Sequence, residues 1–566
     1  MLKFATHNAA LMLLLLAACG DDSSAPGGGA QGGSAGEGGS GGEPAIGGAT
    51  ALSATVVRYD ISANLTTRAA TIELGLDVTE GGNCFSVPSE LPALAARFDD
   101  ENALDFVLEG VTLTACSAAP LAVGPHGLAV DVELEEETFH GLDVGFSSTT
   151  DLSGSTFTYL LSWVGGCDHF GPCQDDPAEL VHFGFSVTHP RGTVVLCPGK
   201  LTAGETVTTC ALDQTLAPTY SAFAFAADPA WVGAPLVSRP GVDVILYEVP
   251  GGTLRESYDS ESLGDFLVWA TNRFGPLPYG SELRLAGAPT AWLGFEHPAN
   301  IILHEELDVL SLPYGDSTMH VTMHEIIHQW SGDATTIASP QDFAWKEAIA
   351  EYMSYVFEDE MRPPGEAASS LAYWDGIATQ AQYYVRPMDE PPPKVEDFYG
   401  DVYGPGPMIL FVQLEDLIGR DAVLAGITQF LAGGGVRSVA DLQASLESEA
   451  ALPLDEYFDV WVFGTGEPQY PQFNVTTEES GGNVTVSVSQ MQAGDTVYPC
   501  VVEVLIEGAT STATATVEFP IGGSASVAMV TIPFAEPVVS TEVDPSHRLV
   551  DVKPGAAPSP WPVFIF

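Results

Sequence analysis

The sequence predicts a multidomain α+β protein: an N-terminal antiparallel β domain over 49–255, a mainly helical domain over 256–468 and a C-terminal β-sandwich over 469–566. Three observations predict it. The chain has 566 residues, more than one hydrophobic core holds at roughly 100–200 residues per domain. Its composition, 45% apolar against 16% charged, is that of a globular chain rather than a disordered one. Apolar spacing follows a period of two up to about residue 250, turns helical near 260, and returns to two after Pro468.

Residues 1–18 form a signal segment. Lys3 supplies the positive start, and 11–17 is an apolar run too short to cross a bilayer. It ends in Leu16-Ala17-Ala18-Cys19, which resembles the bacterial lipoprotein box. The resemblance implies cleavage before Cys19 and a lipid on its thiol; the alternative is an ordinary signal peptide cut after Ala18. Residues 19–48 are mostly Gly, Ser, Ala and acids, a flexible tether with a reach of about 30 Å. The chain is therefore expected to be exported and anchored to a bacterial membrane by its lipid. Gly20 stands where an Asp often marks inner-membrane retention, which favours the outer membrane or cell surface.

A formal charge of −57, from 18 Lys+Arg against 75 Asp+Glu, repels nucleic acid phosphates and anionic lipid headgroups. Cations and basic peptides are the partners such a surface favours. Six cysteines, Cys84, Cys116, Cys167, Cys173, Cys197 and Cys210, share one region of an exported chain, and Cys500 stands apart. Sequence leaves their connectivity open, and pairing neighbours is the simplest arrangement. With no CxxC pair, they do not read as a metal site.

Strands are expected where Tyr59, Ile61, Ala63 and Leu65 alternate with polar residues, and again at Ile72, Leu74, Leu76 and Val78. Helices are expected over 261–274, stopped by Gly275-Pro276, and over 317–330, 343–357, 408–418, 438–450 and 454–462. Val484, Val486 and Val488, then Ala513, Ala515, Val517 and Phe519, mark strands of the C-terminal domain. Trp330, Trp345, Tyr352 and Tyr355 lie at helical spacing and read as core.

His324-Glu325-Ile326-Ile327-His328 is an HExxH motif on one of these helices. Histidines at i and i+4 project from one face, so both imidazoles reach a single tetrahedral ion. Eighteen residues separate His328 from Glu347 on the next helix, which returns a third ligand. Two imidazoles and a carboxylate with one open position are the ligand set of catalytic zinc. Glu325 is then placed to take a proton from the attacking water. Glu351, one turn past Glu347, either orients a ligand histidine or is a solvated acid; His320, one turn before His324, reads as a neighbour rather than a ligand.

This run, continued by Gln329-Trp330 and with Trp345-Lys346-Glu347 behind it, resembles the M1 family of zinc aminopeptidases, which are gluzincins. Leu293-Gly294-Phe295-Glu296-His297 is similar to the family's GxMEN exopeptidase motif. Val402-Tyr403-Gly404-Pro405-Gly406 is similar to the segment holding its catalytic tyrosine, and Phe274 to Tyr279 to its lead-in. The resemblance covers roughly residues 50–566. It implies a thermolysin-like helical domain, one Zn²⁺ on His324, His328 and Glu347, Glu325 as base, Tyr403 as oxyanion donor and Glu296 as the acceptor for a peptide's α-ammonium. The implied activity is removal of N-terminal residues from peptides entering between the first two domains. Three departures stand out: the altered GxMEN, Lys346 in place of Asn, and no Gln near Ser162 and Trp163. A thermolysin-like endopeptidase, and a non-catalytic surface protein on a peptidase scaffold, are the alternatives.

Overall fold

Alternating burial sets the first layers. In the computed structural model, which describes residues 50–551 apart from 100, 103–104, 140–143, 364, 493 and 495, β1 (Ser53–Asn64) and β2 (Ala69–Glu80) bury Tyr59, Ile61, Ala63, Ile72, Leu74, Leu76 and Val78. The signal segment, Cys19 and the tether lie outside the described residues. With β3 (Gly124–Glu133), β4 (Leu180–Thr188) and β5 (Val207–Pro218), these strands build an eight-stranded sheet. From one edge its order is Lys200–Thr202, β5, β4, β1, β2, β3, Ala95–Phe98, Glu101–Asn102.

The sequence leads one to expect an antiparallel sheet, but this one contains a parallel pair. Ile61 faces Ile72 across an antiparallel pair, but lies beside Phe185 in a parallel one. A parallel neighbour needs a long crossover. The chain between β1 and β4 supplies it, and also carries strands of two further sheets. Three disulfides, Cys84–Cys116, Cys167–Cys173 and Cys197–Cys210, pin this region, while Cys500 is free and buried.

A second mixed sheet supports the helices. Its strands run β6 (Val232–Arg239), β7 (Val242–Glu248), β8 (Glu282–Ala288), β10 (Asn300–His304) and β9 (Gly294–His297), with β9 at the edge. β8 is buried at every position after the first, Arg284 included, so burial along it does not alternate. β7 pairs with β8 in parallel, Val244 beside Leu283. The sheet therefore crosses residue 255, where the sequence places a domain boundary. Periodicity locates a strand but does not name its partner.

Four helices matter to the site: α1 (Ser260–Phe274), α2 (Ser317–Ile327), α3 (Phe343–Met361) and α4 (Met408–Ile418). Asp259 caps α1 by accepting from the amides of Glu261 and Ser262. α2 is shorter than its apolar stripe suggests, because the chain turns after His328, where the Asp333 amide donates to the His328 carbonyl. Towards the C-terminus lie two three-stranded sheets. One is ordered Phe473–Ser480, Asn483–Gln490, Val527–Pro533; the other Thr512–Phe519, Cys500–Glu507, Ser540–Val543. Val484, Val486, Val488, Ala515, Val517 and Phe519 are buried. Among the described residues no helix is long and apolar enough to cross a membrane.

Candidate active site

α2 and α3 carry the three candidate metal ligands. His324 and His328 stand one turn apart, the helical angles running on through His328. Their Nε2 atoms are 3.0 Å apart, and Glu347 Oε2 lies 3.1 Å from the first and 3.3 Å from the second. All three side chains are buried. The Nδ1 of His328 faces the Ser331 carbonyl at 2.8 Å and that of His324 faces Glu351 Oε2 at 3.1 Å. Both partners only accept, so each Nδ1 carries the hydrogen and each Nε2 of a neutral ring presents a lone pair. Two such lone pairs and a carboxylate oxygen converging at these distances repel one another unless a cation sits among them. Zinc ligands at 2.0–2.1 Å in a tetrahedron stand about 3.3 Å apart, so the donor set fits that ion.

Glu325, Glu296 and His328 form a second convergence of ligand-type atoms, all within 4.8 Å of one another. Glu325 points from α2 toward β9. A Cβ added at Gly294 would collide with its carboxylate, so glycine is what lets the strand pass this close. Burial pushes the Glu325 carboxyl up to about 8; the charges of Glu296 and Glu347 add to this, while His324 opposes it. Gln329 ties the two elements together: its Oε1 accepts from the Ala299 amide, and its Nε2 donates to the His297 carbonyl and to Asp333. Thus the edge strand carrying Glu296 is fastened to the end of the helix carrying the histidines.

Lys346 does what its spacing alone did not reveal. Its buried ammonium lies 2.7 Å from Glu296 Oε1 and 2.6 Å from Glu347 Oε1, bridging the two carboxylates. Burial works against all three charges, yet Lys346 holds both carboxyls below their ordinary range, and they hold its ammonium well above its own.

Two tyrosines lie on the loop after 398. The buried Tyr403 has its hydroxyl oxygen engaged by the amides of Gln382 and Tyr383, at 2.5 and 2.6 Å. Donors into that oxygen make its own O–H a better donor. Tyr399 packs against Trp163 and Phe343, and after burial the charge of Glu347 is what most raises its hydroxyl. For Tyr403 the corresponding charges are those of Tyr383 and Glu467. The sequence singled out Tyr403 and passed over Tyr399, because aromatic spacing in a loop does not distinguish one ring from another.

Glu351 is fully buried, not a solvated acid: it accepts from His324, from His320 and from the Trp374 indole.

Comparison with known proteins came to the same region. Residues 298–461 match the Peptidase family M1 domain, a segment that holds both histidines, Glu325, Glu347 and Tyr403 and begins two residues after Glu296. Tricorn protease-interacting factor F2 of Thermoplasma volcanium is 24% identical over 39% of this chain and 30% of its own length. Aminopeptidase N of Lactobacillus delbrueckii subsp. lactis is 26% identical over 39% of this chain and 27% of its own. Glutamyl aminopeptidase of Sus scrofa is 21% identical over 54% and 34%. The chain thus spans about a third of the length of these curated relatives. A crystal structure of Legionella pneumophila aminopeptidase A in complex with aspartic acid has a similar fold, with a TM-score of 0.70, 14% identity and coverage of 88% of this chain and 59% of that one.

Proposed function

We propose that this chain is a zinc-dependent aminopeptidase that hydrolyses N-terminal residues from peptides, with one ion per chain on His324, His328 and Glu347. The observation that carries the reading is the convergence, in one buried cluster, of three lone-pair donors, the carboxylate base Glu325 and a second carboxylate, Glu296, on the adjoining edge strand. The match over 298–461 supports the metallopeptidase part, and the names of the relatives support the exopeptidase part.

Bound zinc would supply Lewis acidity toward the scissile carbonyl and its attacking water. Glu325 takes the water's proton and passes it to the leaving amine. Tyr403, its oxygen pinned by two amides, donates to the developing oxyanion. Tyr403→Phe is expected to lower kcat by about 10²–10³-fold, the usual loss for one oxyanion donor, and Tyr399→Phe by much less. The reverse order in paired kinetics would move the role to Tyr399.

Glu296 receives the substrate's α-ammonium. Lys346 occupies Oε1, which leaves Oε2 for the incoming charge. Glu296→Ala is expected to cut kcat/KM for peptides with free N-termini by roughly 30-fold or more, as for truncating one member of a buried charge pair. N-acetylated peptides should be poor substrates of the wild type. Equal cleavage of both forms by wild type, with the variant unchanged, would make the enzyme an endopeptidase.

The architecture belongs to the same proposal: a thermolysin-like catalytic region between the N-terminal β layers and a C-terminal β-sandwich, with a lipid on Cys19 and the 19–48 tether holding the enzyme off a bacterial membrane.

A further inference from the structure

α2 and α3 meet along an alternating row of side chains that runs well beyond the metal ligands. Histidines at 320, 324 and 328 line one face of α2 and its end; glutamates at 347, 351 and 358 line one face of α3. Read along the row, Glu358 contacts His320 at 2.7 Å, His320 contacts Glu351 at 2.9 Å, Glu351 contacts His324 at 3.1 Å, and His324 and His328 share Glu347. Every member is buried. Sequence order rises along one helix as it falls along the other, so the helices run antiparallel and the row is a zipper of opposite charge types.

His320 cannot be an ordinary core histidine. Each of its ring nitrogens faces a carboxylate oxygen, Nδ1 toward Glu358 Oε1 and Nε2 toward Glu351 Oε1. A neutral imidazole has one N–H and would turn a lone pair on one of those oxygens, so the ring is an imidazolium with both N–H groups donating. Tyr314 stacks on its face, ring centroids 3.6 Å apart and planes 12° apart, which fixes the plane as the two bonds fix the in-plane angle. Glu351 is held in turn. Its Oε1 accepts from His320 and from the Trp374 indole at 2.5 Å, which leaves Oε2 aimed at His324 Nδ1. Glu358 accepts from Ser370 on its other oxygen.

We propose that His320 and Glu358 are positioning residues for the metal site, acting through Glu351 to fix the ring of His324 and the lone pair it presents. The proposal rests on the metal assignment above and extends it by two steps, to residues that touch neither metal nor substrate. A ligand histidine is set by the group on its other nitrogen, and that group is only as well placed as its own partners allow. Here the partner is a buried carboxylate with no solvent to orient it. Its far oxygen is gripped by a charged ring that is itself gripped from both sides.

The test is zinc affinity, measured by chelator competition on the full chain, together with the visible spectrum of the cobalt-substituted protein. His320→Gln removes the charge and one of the two donors. It is expected to weaken zinc binding by about 10–100-fold, the range for partners of metal-bound histidines, and to shift the cobalt bands. Glu358→Gln, which keeps the shape, is expected to move both readouts the same way by a smaller factor. A merely structural role would lower the melting temperature of the metal-free protein while leaving zinc affinity and cobalt bands unchanged; zinc Kd values within two-fold of wild type and an unshifted spectrum would overturn the proposal. If His320→Gln does not fold, Glu358→Gln decides alone. A wild type that binds no zinc would instead bring down the metal assignment, an outcome distinct from equal binding by wild type and variants.

Discussion

Glu325→Gln is expected to retain zinc and lose turnover, by about 10²–10⁴-fold in kcat, the contribution of a positioned general base. The variant is close to isosteric, so Gly294 still packs against it and α2 is undisturbed. What changes is that an amide cannot take a proton. His324 is oriented by Glu351 and His328 by the Ser331 carbonyl, so neither ring relies on the Glu325 carboxylate for these bonds. Metal content and kcat should therefore separate, full zinc by elemental analysis and almost no product by assay. A variant that turned over at the wild-type rate would remove the base assignment outright.

His328→Ala is expected to abolish both metal and activity. It leaves His324 and Glu347, and two protein ligands hold zinc poorly. The loss is sharpened by Lys346: with no ion competing for Glu347, its ammonium at 2.6 Å is the cation that remains. Activity should fall to background at equimolar zinc. A variant that kept one zinc per chain would show that the ion sits elsewhere, with the Glu296, Glu325 and His328 convergence excluded as well because it shares the deleted residue.

The convergence of His324, His328 and Glu347 was legible because each rule involved is local. Four residues make one helical turn, so His324 and His328 had to share a face, and Glu347 needed only a second helix folding back. The charge row was half legible: His320 stands one turn before His324 and Glu351 one turn after Glu347, yet neither spacing says that the two faces are the same interface. Lys346 was visible as a departure from the family pattern, but not that its four-carbon stem bridges Glu347 to Glu296 on the edge strand. Strand identity was read correctly from alternation at Tyr59 and Ile72, whereas the parallel pairing of β1 with β4 and of β7 with β8 was not, because pairing is decided by chain crossovers that leave no period in the sequence.

Cys500, buried on a C-terminal strand, has a use outside catalysis. Burial raises its thiol far above the ordinary range, and among the described residues it is the one cysteine outside a disulfide. A thiol in that state is inert to alkylating reagents until the strand opens. In a chain begun after the tether, the rate of its chemical labelling therefore reports how often the C-terminal sheets part, and that slow breathing can be followed by mass spectrometry without an added cysteine.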